Sequence, residues 1–142
     1  MGVRAKADPA TEAWKMVFEV ITSERPLRIP RVAAEFGMSP MGVHVFRILE
    51  PGAELPMSAL AGSVGCDASN VTGIVDRLEA RGLIERRDSP ADRRVKLIAL
   101  TEEGARLREQ VMDRLYEPPA AIARLSAADQ RALCDILARA LA

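Results

Sequence analysis

The sequence predicts a mainly α-helical chain that carries one small β-hairpin. Three observations predict it. Apolar residues fill 49% of the 142 positions but aromatics only 4%, so the core must be Leu, Ile, Val, Ala and Met. Such a core suits helix-on-helix packing better than a β-sandwich. Apolar residues recur at i, i+3, i+4 and i+7 in several segments, the spacing of amphipathic helices. Two short runs, 83–87 and 95–100, instead flank a polar turn holding Ser89-Pro90, and read as hairpin arms. The length suits one compact domain over 1–142 with a substantial core.

Taken in order, residues 9–22 form a first helix, with Trp14, Val17, Phe18 and Ile21 on one face. Residues 1–8 before it are small and charged and should fray. Pro26 and Pro30 end the first helix, and a short helix over 31–36 follows, closed by Gly37. Ser39-Pro40 opens the next, a capping hydroxyl followed by proline at the first helical position. That helix turns Met41, Val45, Ile48 and Leu49 inward, and Pro51-Gly52 stops it. A short helix over 57–64 leads to a turn at Gly65-Cys66-Asp67.

The clearest helix spans 68–81, with Val71, Ile74, Val75 and Leu78 on one side and Gly82 as its terminator. After the hairpin, Thr101 caps a helix running to about residue 117, whose first turn holds Glu102 and Glu103 at the positive end of the dipole. Pro118-Pro119 breaks it. Ser126 with Asp129 starts a last helix carrying the stripe Leu133, Ile136, Leu137 and Leu141.

Helix, tight turn, helix and two-stranded wing is the order of a winged helix-turn-helix, here over 31–100. On the 68–81 helix, Ser69, Gly73, Asp76 and Ala80 lie opposite the apolar stripe, with Asn70, Thr72 and Arg77 on the flanks. An exposed face this small and polar can enter the ~12 Å major groove of DNA. There Asn70 can pair with adenine and Arg77 can reach a guanine or a phosphate. Gly73 costs about 1 kcal/mol against alanine in a helix, which suggests close approach to DNA or to a neighbouring helix.

The formal net charge is zero, from 20 basic and 20 acidic side chains, which argues mildly against nucleic acid as the partner. Local density matters more, because only charges within about a Debye length (~8 Å) of a phosphate act strongly on it. Between Arg86 and Lys96, five basic residues (Arg86, Arg87, Arg93, Arg94 and Lys96) stand against Asp88 and Asp92. The spacing of Asp92 and Arg94 lets the carboxylate brace the guanidinium for a narrow minor groove. An apolar stripe alone also fits an ordinary core helix, and an arginine run alone also fits a solvated hairpin. Together and in this order they point to double-stranded DNA.

These residues carry a family resemblance. The segments Leu60-Ala61, Val71-Thr72, Val75-Asp76-Arg77-Leu78-Glu79, Gly82-Leu83-Ile84-Glu85-Arg86, Asp92-Arg93-Arg94 and Leu100-Thr101-Glu102-Glu103-Gly104 resemble the MarR family of bacterial transcription regulators, densely over about residues 55–106. The resemblance implies a homodimer whose helices from 9–25 and 101–142 interleave, placing two winged domains on a pseudo-palindromic operator. It implies major-groove and phosphate contacts from Ser69, Asn70, Thr72 and Arg77, and minor-groove entry by Arg94 supported by Asp92. Ser58, Arg86, Arg87, Arg93 and Lys96 would meet the DNA backbone. Many relatives have a larger polar residue at the position of Gly73, so base readout here is expected to be sparse and DNA shape to matter more. Members commonly bind small aromatic or phenolic acids between the winged domain and the dimer helices, where Met16, Phe18, Met41 and His44 are the candidate lining. A repressor released by such a ligand is the expected function.

Other classes fare worse. Two cysteines and one histidine are too few for a metal sensor, and no metal or other cofactor is expected. Neither a glycine-rich phosphate loop nor a nucleophile elbow points to an enzyme. A winged-helix protein–protein module without DNA binding remains the alternative, favoured by the zero net charge. Cys66 reads as a small buried apolar residue and Cys134 as packed in the last helix; neither lies in the first helix, where peroxide-sensing members place their thiol. No signal-peptide pattern and no run near ~20 apolar residues is present, so a cytoplasmic location with no membrane contact is expected.

Overall fold

The computed structural model describes residues 8–24, 27–65 and 68–142. Its helices in chain order are α1 (Pro9–Thr22), α2 (Arg28–Glu35), α3 (Pro40–Ile48), α4 (Met57–Val64), α5 (Ala68–Ala80), α6 (Glu102–Tyr116), α7 (Ala120–Ala123) and α8 (Ala127–Leu141). Three strands, β1 (Glu54–Pro56), β2 (Ile84–Asp88) and β3 (Lys96–Leu100), complete it. Two compact units emerge, one from Arg28–Tyr116 and one from the described residues up to Leu27 with Glu117–Ala142. The expectations for residues 1–7, for Pro26 and for Cys66-Asp67 lie outside the described residues.

The Arg28–Tyr116 unit is built around α3, which packs on α2, α4, α5 and α6. Phe46, Leu49, Leu60, Val71, Val75, Ile84, Ile98 and Val111 are fully buried there. Being wrapped by four helices, α3 buries a wider arc than one stripe. Val43 and Phe46 lie in its core face with Val45 and Leu49, whereas Met41 and Ile48 are only half-buried. The inward side of α5 is as expected, with Val71, Ile74, Val75 and Leu78 all buried. Although the sequence groups α6 with the dimer helices, it seats Val111 and Met112 in this same core.

Helix α2 begins at Arg28 rather than residue 31 and takes Pro30 into its first turn. The first N–H groups of a helix have no acceptor within it, so the missing proline donor costs nothing there. Ser39 caps α3 as expected, its side chain accepting from the Gly42 N–H at 3.1 Å. Helix α5 ends in a two-bond cap: the Gly82 N–H donates to the Glu79 carbonyl at 2.8 Å and the Leu83 N–H to the Leu78 carbonyl at 3.0 Å. Gly82 sits at φ +70, the left-handed conformation this cap requires.

The wing is a three-stranded antiparallel sheet of order β1-β3-β2 rather than a two-stranded hairpin. Its hairpin pairs Ile84 with Leu100, Arg86 with Ile98 and Asp88 with Lys96, so each arm starts one residue later than expected. The added edge strand β1 pairs Leu55 with Ile98 and Pro56 with Leu97. Three residues ending in proline show no alternation of their own, and only the partner strand makes them a strand.

In the second unit, Asp8 caps α1 by accepting from the Thr11 N–H, and Ser126 caps α8 by accepting from the Asp129 N–H. The single turn α7, which has no sequence signal, lies between α6 and α8. Neither α1 nor α8 buries a single residue.

Candidate nucleic-acid interface

Burying the Val71–Leu78 stripe leaves Ser69, Asn70, Thr72, Asp76 and Arg77 of α5 exposed, with Gly73 half-buried between them. A Cβ at Gly73 would meet only a guanidinium nitrogen of Arg77, at an ordinary 3.8 Å. Among the described residues, then, no neighbouring helix requires this glycine. Ser58, the second residue of α4, is also exposed.

The wing tip is shaped by its own backbone. The Ser89 N–H donates to the Val95 carbonyl at 3.0 Å and the Val95 N–H to the Asp92 carbonyl at 2.9 Å. Asp92 Oδ1 accepts from the Arg94 backbone N–H at 2.9 Å, an Asx turn. Asp92 therefore braces the main chain at Arg94 rather than its guanidinium, which corrects the expected contact. The bracing still restricts where the arginine side chain starts.

The basic residues of the hairpin fall into two sets. Arg86 pairs with Asp76 and Glu79 on α5, Arg87 with Glu54 on β1 (2.7 Å) and with Glu85, and Lys96 with Asp88. These three, expected to meet DNA phosphates, each hold at least one carboxylate partner. The Arg86 guanidinium is held above its ordinary range chiefly by the hydrogen bond to Asp76, against opposing desolvation and with Glu79 adding attraction. Arg87 is raised by its hydrogen bonds to Glu54 and then Glu85. Exposed pairs of this kind are screened by solvent and add little stability, so their main consequence is to cancel charge along the wing stalk. Arg93 and Arg94 at the tip, and Arg77 on α5, make no ion pair among the described residues. Positive charge is thus concentrated at the tip and on one flank of the helix.

Other arginines serve the fold. Arg81 donates to the carbonyls of Gly37 (2.9 Å) and Phe36 (3.1 Å) at the end of α2, and Arg108 Nε donates to the Phe46 carbonyl (2.7 Å) near the end of α3. Cations suit the negative ends of helix dipoles. The acidic partners of the wing stalk escape sequence reasoning because Glu54 lies 33 residues from Arg87, and Asp76 lies 10 from Arg86 across an element boundary. The only local hint is the i, i+3 spacing of Asp76 and Glu79 on α5.

A model of the MarR family matches residues 39–96, from the cap of α3 to the first residue of β3. The HTH-type transcriptional regulator YdgJ of Bacillus subtilis is 31% identical over 104 residues, covering 72% of this chain and 63% of that protein. The chain belongs to the MarR family. It spans less than two thirds of the length of that relative. A single-site mutant of MarR from Escherichia coli aligns with a TM-score of 0.77 at 21% identity, over 97% of this chain and 100% of that one. The transcriptional repressor CouR, solved on a 23-mer DNA duplex, aligns with a TM-score of 0.62 at 24% identity, over 99% and 100%. At these identities the likeness establishes the fold, a winged helix with a small antiparallel sheet.

In this MarR-family chain the four candidate effector residues divide between the two units. Met41 and His44 are half-buried on α3, and Met41 borders a shallow pocket with Asn70 and Arg77. Met16 lines an apolar cavity of about 590 Å³ in the other unit, with Val20, Ile21, Leu133 and Leu137. Phe18 is 53% exposed and is not part of that lining. Cys134, expected to be packed, is exposed at the same cavity. No helix among the described residues is long and apolar enough to cross a membrane.

Proposed function

We propose that this protein is a sequence-specific DNA-binding transcriptional regulator, a repressor that binds a pseudo-palindromic operator as a homodimer in the cytoplasm and is released by a small aromatic or phenolic effector. The observation that carries the reading is the uncancelled charge at Arg93, Arg94 and Arg77 beside an exposed, small-residue helix face. In this reading α5 lies in the major groove with Ser69, Asn70 and Thr72 toward the bases, and Gly73 lets the backbone approach. The wing tip reaches the adjacent minor groove, where the strongly negative potential draws in Arg94. Met16, Phe18, Met41 and His44 remain the candidate effector contacts. A resemblance to CouR, which was solved on DNA, supports the partner class.

The test is binding to a duplex from the promoter of its own gene. Affinity is expected to fall steeply with salt. Arg94→Ala should weaken it by at least ~1 kcal/mol and lower the salt slope, because a charged contact is lost. Unchanged affinity in that variant would rule out the wing mechanism. Failure to shift any genomic duplex at low salt would favour the protein–protein module, which the zero net charge keeps open.

A further inference from the structure

Arg86 is the least exposed of the hairpin's basic side chains for which an ion pair is seen, at 24%, and its two terminal nitrogens are divided between two carboxylates. One takes Asp76 and the other Glu79, residues one turn apart on the C-terminal half of α5. The direction follows from strand alternation. Arg86 shares a sheet face with the buried Ile84, and that face turns toward α5, while Arg87 on the opposite face finds Glu54 and Glu85. We infer that Arg86 is a positioning residue: by spanning Asp76 and Glu79 it ties the wing to the DNA-reading helix and sets where the Arg93–Arg94 tip falls, touching no phosphate itself.

Three observations carry this. Each terminal nitrogen of the guanidinium already donates to a carboxylate, Nη1 to Glu79 and Nη2 to Asp76. The cluster holds one positive charge against two negative ones, so a phosphate brought to Arg86 would also meet Asp76 and Glu79. Past the short edge strand β1, which pairs only with Leu97–Ala99, the wing is a two-stranded ribbon that twists readily, and beyond Ile84 the β2 strand has no other side-chain ion pair to α5 among the described residues. An arginine fork can hold two carboxylates at once, which a lysine ammonium does with much poorer geometry.

This inference rests on the DNA-binding reading, and the experiment has one arm with DNA and one without. With promoter DNA, Arg86→Gln and the paired variant Asp76→Asn/Glu79→Gln should each lose about tenfold in affinity with the salt slope unchanged, and the triple variant should be no worse than either. Arg86→Lys should lose about as much as Arg86→Gln. If Arg86 gripped a phosphate, removing the two carboxylates would strengthen binding and Arg86→Gln would lower the salt slope by about 1, overturning the inference. If it only neutralised charge, the triple variant would regain wild-type affinity, which would overturn it equally. Without DNA, amide exchange in Arg86→Gln should quicken across 86–97 while core amides of α3 and α6 keep wild-type rates. Unchanged wing exchange would overturn the tether even where DNA binding is established, and loss of DNA binding by the wild type would overturn the regulator reading instead.

Discussion

Gly73 separates two demands that usually coincide. Nothing packed against α5 needs the missing Cβ, whose nearest neighbour would be Arg77 at van der Waals distance. A glycine inside a helix costs about 0.5–1 kcal/mol against alanine, so its benefit must lie outside the folded monomer. Gly73→Ala is therefore expected to raise stability by about that amount in chemical denaturation while weakening binding to promoter DNA. A variant that gained stability with affinity untouched would remove the close approach from the mechanism. At Arg86 and Arg87 the raised guanidinium pKa has a simple consequence. Whatever these cations contribute is fully present below the ordinary arginine range and lost only as pH rises beyond it, so neither supplies a switch near neutrality. At this scale the exposed polar face of α5 and the arginine tip were legible. The partners of Arg86 and Arg87 were not, because charge counts along the chain do not reveal which charges cancel.

Between elements, the junction of α5, the wing and α6 converges on Thr101. Its Oγ1 accepts from the Gly104 N–H at 3.0 Å, capping α6, and donates to the Gly82 carbonyl at 2.6 Å, closing the end of α5. Gly104 follows from the same junction: a Cβ there would run into the Leu83 carbonyl, which accepts from the Thr101 N–H. Thr101→Val keeps the shape and removes both side-chain bonds, so it should cost about 1–2 kcal/mol, read as a lower denaturant midpoint. A cost near zero would mean that water replaces both bonds. The caps at Ser39, Thr101 and Ser126 were legible because a capping hydroxyl acts within three residues of itself. Strand β1 was not, since its register with β3 joins positions more than 40 apart in sequence.

For the whole molecule, the open question raised by the terminal helices is what covers them. Trp14, Met16, Phe18 and Ile21 on α1, and Ile136, Leu137 and Leu141 on α8, are all more than 40% exposed in the single chain. Contiguous apolar surface of this kind marks an interaction site, and in the proposed homodimer a second copy buries it. Leu137→Glu should accordingly convert a dimer at micromolar concentration into a monomer in sedimentation, with helicity retained in the Arg28–Tyr116 unit. A wild-type chain that sediments as a monomer would overturn the dimer.

Local chemistry carried much of this molecule from the outset. Apolar periodicity located α1, α3, α5 and α8, the Thr101 cap and the Pro118-Pro119 break located α6, and the winged order pointed to DNA. Those features depend on residues a few positions apart, where spacing is itself geometry. The third strand, the wide buried arc of α3 and the division of the hairpin's basic residues into paired stalk and free tip depend on groups brought together from distant positions. Only folding sets those distances, and with them which arginines are left for a partner.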